Sequence, residues 1–248
     1  MTGEPPDAQG LAERRRRRLW LIGATLILAA VLVAIAIAVA GSDDDESGTT
    51  TGPPEGAAEV TALYRGVPQR GIELGSPRAE VTMTEFADLQ CPFCGQYGRE
   101  VLPTIVERYV RTGKLRIVFH NLDFLGEDST EAALMAAAAG RQGKLFEFVD
   151  LVYRNQGVEN TGWVDDDYLA RIGRAVGLDV ERAMRERGDP ALRAQIDDAK
   201  RAAEAAGIDS TPAFLVQRAS GRPERLEVEA LAPGPFTEAL DRAVGEAD

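Results

Sequence analysis

The chain has 248 residues, 44% apolar and 27% charged, a globular composition with room for one large domain or two small ones. A formal charge of −12 argues against nucleic-acid binding, which calls for a basic face. With two cysteines and one histidine, soft ligands are too few for a structural zinc site, so no metal is expected, and no cofactor either.

Residues 1–18 form a basic tail that closes on five arginines, Arg14 to Arg18. From Leu19 to Ala40 the run LWLIGATLILAAVLVAIAIAVA carries no charge. At about 1.5 Å per residue it is about 33 Å long as a helix, enough to cross the roughly 30 Å hydrocarbon core of a bilayer. The arginines before it and Asp43-Asp44-Asp45-Glu46 after it predict a single-pass anchor, with the N-terminus cytoplasmic and the remainder outside. The competing reading is a cleaved signal peptide, with Ala38-Val39-Ala40 as its small-x-small site, although signal cores run only about 7–15 residues. Either way the rest of the chain meets an oxidising compartment. Residues 41–59, beginning GSDDDESGTTTGPPEG, predict a flexible linker.

Val81–Phe86 (VTMTEF) alternates and is rich in β-branched and aromatic residues, which predicts a strand. Cys91-Pro92-Phe93-Cys94 follows, and then Leu102, Ile105, Val106, Tyr109 and Val110 recur at helical spacing. Pro103 should kink this helix and Gly113 should end it. Leu115–His120 is a second strand, placing the cysteines at a strand-to-helix junction. Helices are then predicted near Ser129–Gly140 (started by Asp128-Ser129-Thr130), Lys144–Arg154, Asp165–Val176, Val180–Arg187 and Pro190–Ala206. Ala213–Gln217 and Arg225–Glu229 read as a hairpin, and a last helix starts near Pro235 or Thr237. The order is β-α-β, a helical block, then β-β-α, an α/β architecture.

The C-x-x-C pair has no other cysteine to join. Its own ring is so small that it constrains little unfolded-chain entropy, which makes it a weak staple. As a two-electron switch it is well suited, because each thiol can attack the mixed disulfide formed by the other. The nucleophile is the thiolate, and a helix start lowers a cysteine pKa through free N–H groups and the dipole. Pro92 suits the first helical turn. Cys91 is therefore expected to attack and Cys94, one turn in, to resolve. A structural disulfide is the alternative; haem attachment needs C-x-x-C-H, and residue 95 is glycine.

EFADLQCPFC, a helical block and then GIDSTPAFLV resemble the DsbA-like branch of the thioredoxin fold. GVPQRGIELGSPRAEVTMTEF, AALMAAAAGRQGKLFEF and WVDDDYLARIGRAVGLD are similar to that family as well. The resemblance covers about Ala62 to the C-terminus. It implies a thioredoxin domain over 60–248, with a helical domain inserted at about 127–207. It also implies a cis-proline at Thr211-Pro212 facing the cysteines, where an extended substrate pairs edge-on with the backbone. Thr211, Pro212 and Phe93 would touch that substrate. Glu85 matches a buried acid beneath the disulfide that takes the Cys94 proton during resolution. On residues alone, Glu85 also reads as a solvent-facing acid, and Asp88 is an alternative for the task. The family's strong oxidants carry Pro-His between the cysteines where this chain has Pro-Phe, so one source of thiolate stabilisation is missing. His120 ends a strand and reads as structural or surface.

The expected activity is protein disulfide oxidoreduction outside the membrane, introducing disulfides into exported proteins that carry free thiols. The resemblance implies a quinone-linked membrane reoxidase as a partner. A monomer is expected, since no dimerisation segment precedes the core. A reductase or isomerase with the same site, or a non-catalytic peptide-binding module, are the alternatives, because direction follows from a reduction potential that the residues do not spell out.

Overall fold

A computed structural model describes residues 52–219 and 221–245. The basic tail, the apolar run 19–40 and most of the linker lie outside the described residues. Among the described residues no helix is long and apolar enough to cross a membrane. Helix α1 (Ala57–Tyr64) begins inside the stretch expected to be linker, and it buries Val60 and Tyr64.

Among the described residues six strands form one sheet: β1 (Gln69–Arg70), β2 (Glu73–Leu74), β3 (Val81–Asp88), β4 (Leu115–Leu122), β5 (Ala213–Arg218) and β6 (Glu224–Arg225). Their order across the sheet is β1-β2-β4-β3-β5-β6. β3 and β4 run parallel, with Glu85 level with Phe119, while β5 runs antiparallel to β3, with Phe214 level with Glu85. Parallel neighbours require a crossover. It is supplied by α2 (Pro92–Glu100), α3 (Leu102–Ile105) and a five-residue π-helical turn at Val106–Val110. This is the expected strand–helix–strand unit, and both strands run two residues past their predicted ends, to Asp88 and Leu122.

The single kinked helix expected through Pro103 is instead broken at Val101 (φ −109°). The proline ring clashes with the carbonyl four residues earlier and lacks an N–H, so the chain restarts with Pro103 in the new first turn. The wider turn that follows bonds the Arg111 N–H to the Val106 carbonyl at 2.9 Å. It keeps Val106, Tyr109 and Val110 buried, and Gly113 (φ +77°) ends it as predicted.

Between β4 and β5 lies the helical block: α4 (Glu127–Arg141), α5 (Leu145–Arg154), α6 (Asp166–Ala175), α7 (Val180–Glu186) and α8 (Pro190–Ala205). Three of these begin on aspartate caps. Asp165 accepts from the Tyr168 N–H, Asp179 from Arg182 and Asp189 from Ala191. Each such cap stabilises its helix by about 1 kcal/mol. α4 differs from expectation. It starts at Glu127 after Gly126, and Ser129 turns its hydroxyl inward to Asp88 at 2.7 Å rather than capping.

The last strand is shorter than the expected Arg225–Glu229. Pairing ends when the Leu226 N–H meets the Phe214 carbonyl at 2.9 Å. Leu226 and Val228 still turn toward the core, which is the alternation that mimics a strand. Helix α9 (Pro233–Gly245) closes the domain, starting two residues before Pro235.

The sheet is covered on both faces. Phe86 and Leu122 pack with Ala199 and Ala203 of α8 on one side. The larger cluster gathers Met83, Tyr97, Ile105, Phe214, Phe236 and Leu240. Each fully buried side chain of this size contributes roughly 1.5–3 kcal/mol.

Candidate active site

The two cysteines sit at the carboxyl end of β3, where the chain turns into α2. Cys91 is the N-cap: it is extended (φ −65°, ψ 119°), with Pro92 at the first helical position. Its Sγ accepts a hydrogen bond from the Cys94 N–H at 3.4 Å, so the first turn of the helix is satisfied by sulfur. Both cysteines are free thiols, Cys91 4% exposed and Cys94 fully buried.

Their surroundings drive the two thiols apart. A hydrogen bond from the Cys94 thiol is the chief cause that lowers Cys91 from 9.0 to about 6, outweighing the burial that opposes it. The Thr211 side chain and the N–H groups of Cys94 and Phe93 add to the effect. Burial, then the neighbouring Cys91, pushes Cys94 well above the ordinary thiol value. One sulfur is thereby set up as a thiolate near neutral pH and the other as a thiol, the asymmetry that disulfide exchange requires.

β5 brings the second half of the site. The Thr211–Pro212 peptide is cis. The Cys91 Sγ–H donates to the Thr211 carbonyl at 3.4 Å. Phe93, 61% exposed, lines a groove of about 250 Å³ together with Thr211, Pro212, Phe214, Leu226 and Val228. Cys91, Cys94, Thr211, Pro212 and Phe93 are therefore brought to one place.

Glu85 is buried, 2% exposed, on the face of β3 that also carries Val81 and Met83. The solvent-facing reading of this residue is excluded. Burial pushes its carboxyl from 4.5 up to about 8. No hydrogen bond joins it to Cys94 among the described residues, but both act on Tyr153. That hydroxyl is raised first by burial, then by Cys94 and then by Glu85. Asp88 is differently placed. Burial raises it too, but its oxygens already accept from the Gln90 N–H at 2.8 Å, the Leu125 N–H at 3.1 Å and Ser129 Oγ at 2.7 Å. Asp88 therefore ties the active-site turn to α4. His120 stacks on Phe86 with ring centroids 5.0 Å apart, and burial lowers its pKa. Among the described residues no three His, Cys, Asp or Glu side chains gather as metal ligands.

The residues that the sequence reading missed are amides. Gln90 donates to the Leu125 carbonyl at 3.0 Å and to Ser129 Oγ at 3.1 Å, and accepts from the Asn160 N–H at 2.8 Å. Gln156 donates to the carbonyls of Leu89 and Cys91. Neither belongs to a periodic pattern; the adjacency of Gln90 to the cysteine was the sole available signal.

A thioredoxin family model matches residues 69–227, which is more than half of the chain. The chain belongs to the thioredoxin family. Within that family it is similar to a Bacillus cereus protein named "Probable disulfide bond formation protein D", 28% identical over 155 residues, covering 61% of this chain and 72% of the relative. Among solved structures it resembles Wolbachia pipientis alpha-DsbA1, with a TM-score of 0.63 and 25% identity over 75% of this chain and 98% of that one. Oxidised BdbD of Bacillus subtilis shares the fold, with a TM-score of 0.61 and 19% identity over 72% of this chain and 97% of that one. These likenesses place the chain in the DsbA-like branch of the thioredoxin family, with the helical block inserted as that branch has it.

Proposed function

We propose that this thiol–disulfide oxidoreductase donates its disulfide to exported proteins from the outer side of a membrane, held there by the apolar run 19–40. The observation that carries the reading is the placement of Cys91, its sulfur on a helix N-terminus and 3.4 Å from the carbonyl of Thr211.

In the oxidised form a client thiolate attacks Cys91 Sγ. The Cys91–Cys94 bond breaks, Cys94 departs with the electron pair, and a client–Cys91 disulfide forms. The second client thiolate then attacks the client sulfur of that mixed disulfide and expels Cys91 as a thiolate. The client is oxidised and the pair reduced by two electrons. Expulsion is favourable because the departing thiol has a low pKa, and a low-pKa leaving sulfur leaves faster. Cys94 picks up the proton that its buried position demands. Glu85, with a value of about 8, is the group assigned to give and take it. The client lies extended in the groove, its backbone along Thr211-Pro212 and an apolar side chain against Phe93. A quinone-linked membrane reoxidase returns the pair to the disulfide, and the protein works as a monomer.

Cys94→Ala in the full chain tests this directly. It should accumulate mixed disulfides between Cys91 and exported proteins, and their complete absence would overturn the reading. Equilibration against glutathione then gives direction. A potential near about −120 mV supports a donor, while one near about −270 mV makes the same site a reductant.

A further inference from the structure

Beside the Asp88 and Gln90 contacts to α4 and its loops, one further amide group grips the backbone of the turn that presents Cys91. Gln156 stands just past the end of α5, and its Nε2 donates to the Leu89 carbonyl at 2.9 Å and to the Cys91 carbonyl at 3.1 Å. A primary amide has two N–H bonds. Here each has its own acceptor, and the two acceptors flank Gln90. The Cys91 carbonyl also accepts the Gly95 N–H at 3.1 Å, the bond that opens α2. Helix and amide thus share one oxygen, and that oxygen belongs to the residue whose sulfur reacts.

Gln156 reaches this position through a space kept by Gly95. A Cβ on residue 95 would collide with Gln156 Oε1 and stand 2.8 Å from Arg99 Nη1. Gly95 lies in helical backbone, where glycine costs about 0.5–1 kcal/mol relative to alanine, so its presence needs a packing reason. The approach of Gln156 is that reason.

We propose that Gln156 is a positioning residue for Cys91, holding the Leu89–Cys91 turn so that the sulfur faces the α2 N–H groups and Thr211, and that Gly95 is the opening through which it does so. The inference rests on the reading of Cys91 as the exchanging thiol. Losing the amide frees the Cys91 peptide to rotate about its single remaining bond to Gly95. The sulfur then spends less time over Cys94 N–H, and thiolate stabilisation falls.

The test uses the full chain, reduced, with Gln156→Ala, Gln156→Glu, Gly95→Ala and the double variant Gly95→Ala/Gln156→Ala. The measurements are the pH profile of Cys91 alkylation and the rate of reaction with oxidised glutathione. Gln156→Ala should move the alkylation midpoint upward and slow exchange by about tenfold at neutral pH, as expected for two lost hydrogen bonds. Gln156→Glu fills nearly the same volume but cannot donate when ionised and brings its own negative charge near the sulfur, so it should shift the midpoint at least as far. Gly95→Ala should reproduce Gln156→Ala, and the double variant should be no worse than either. Gln156→Glu with a wild-type midpoint and a wild-type rate would overturn the inference, and so would fully additive effects of Gly95→Ala and Gln156→Ala. Should the wild-type chain itself exchange no disulfide, the functional reading fails. Exchange by wild type with unchanged variants fails the Gln156 inference alone.

Discussion

The sulfur of Cys91 and the carbonyl oxygen of Thr211, 120 residues apart in the chain, meet at 3.4 Å. Everything between them, the crossover and the five helices, folds away so that a β3–α2 junction and the entry to β5 form one wall. Because β3 and β5 are paired neighbours as far as Phe86 and Ala213, the ladder brings the two strand ends side by side, and the Gln90 and Gln156 amides hold the turn beyond it.

Reduced Cys91 should be alkylated with a midpoint near pH 6, following its pKa of about 6, while Cys94 reacts only after unfolding. In the dithiol form the lowered Cys91 value adds stability that is fully present above about pH 9 and is lost as pH falls through about 6. Cys94→Ala removes the chief cause of the shift, so its alkylation midpoint should move upward. A pH series with a thiol-specific alkylating agent on both chains decides this.

Glu85→Gln should stabilise the domain at neutral pH and slow its chemistry. The folded value of about 8 lies above the ordinary 4.5, so the folded form holds the proton more tightly than the unfolded form. Stability linked to this group is therefore complete below about pH 4.5 and falls as pH rises through about 8. At pH 7 the amide should gain on the order of 2–3 kcal/mol over wild type, and near pH 4 nothing. Urea midpoints at the two pH values measure the gain. Stopped-flow resolution of a Cys91 mixed disulfide should slow by about tenfold to a hundredfold.

Ser129→Ala should cost about 1–3 kcal/mol without touching either cysteine. The hydroxyl is fully buried, donates to Asp88 and accepts from Gln90, and its loss leaves both polar groups short of a partner. Thermal unfolding measures the cost.

Phe93→Ala should leave stability within about 0.5 kcal/mol, since the ring is 61% exposed. Exchange with a cysteine peptide carrying an apolar neighbour should slow by roughly fivefold, the equivalent of about 1 kcal/mol of lost burial, while exchange with glutathione stays unchanged. Parallel rate measurements with the two substrates separate the effects.

The parts of this fold that were legible in the residues are those governed by local rules. Asp165, Asp179 and Asp189 with Pro190 each carry their cap in the sequence, and α6, α7 and α8 begin within a residue of expectation. Val81–Phe86 showed its strand by alternation, although Glu85 occupies an inward position that its chemistry argues against. Where tertiary demands rule, the reading failed. Leu226 and Val228 alternate like a strand because they seal the core, not because a ladder continues. Ser129 looked like a cap and is a buried link to Asp88. At the active site the cysteines, Phe93 and Thr211-Pro212 stood out by motif and resemblance. Gln90 and Gln156 act through backbone carbonyls, and such contacts leave no trace in residue spacing.

Both rims of the sheet end in strands of two residues, Gln69–Arg70 on one side and Glu224–Arg225 on the other. Long bare rims invite foreign strands to zip on. Rims this short give a foreign chain almost nothing to zip onto. On the proposed reading, that leaves the stretch at Thr211-Pro212, beside Cys91, as the place where a client lies while it reacts.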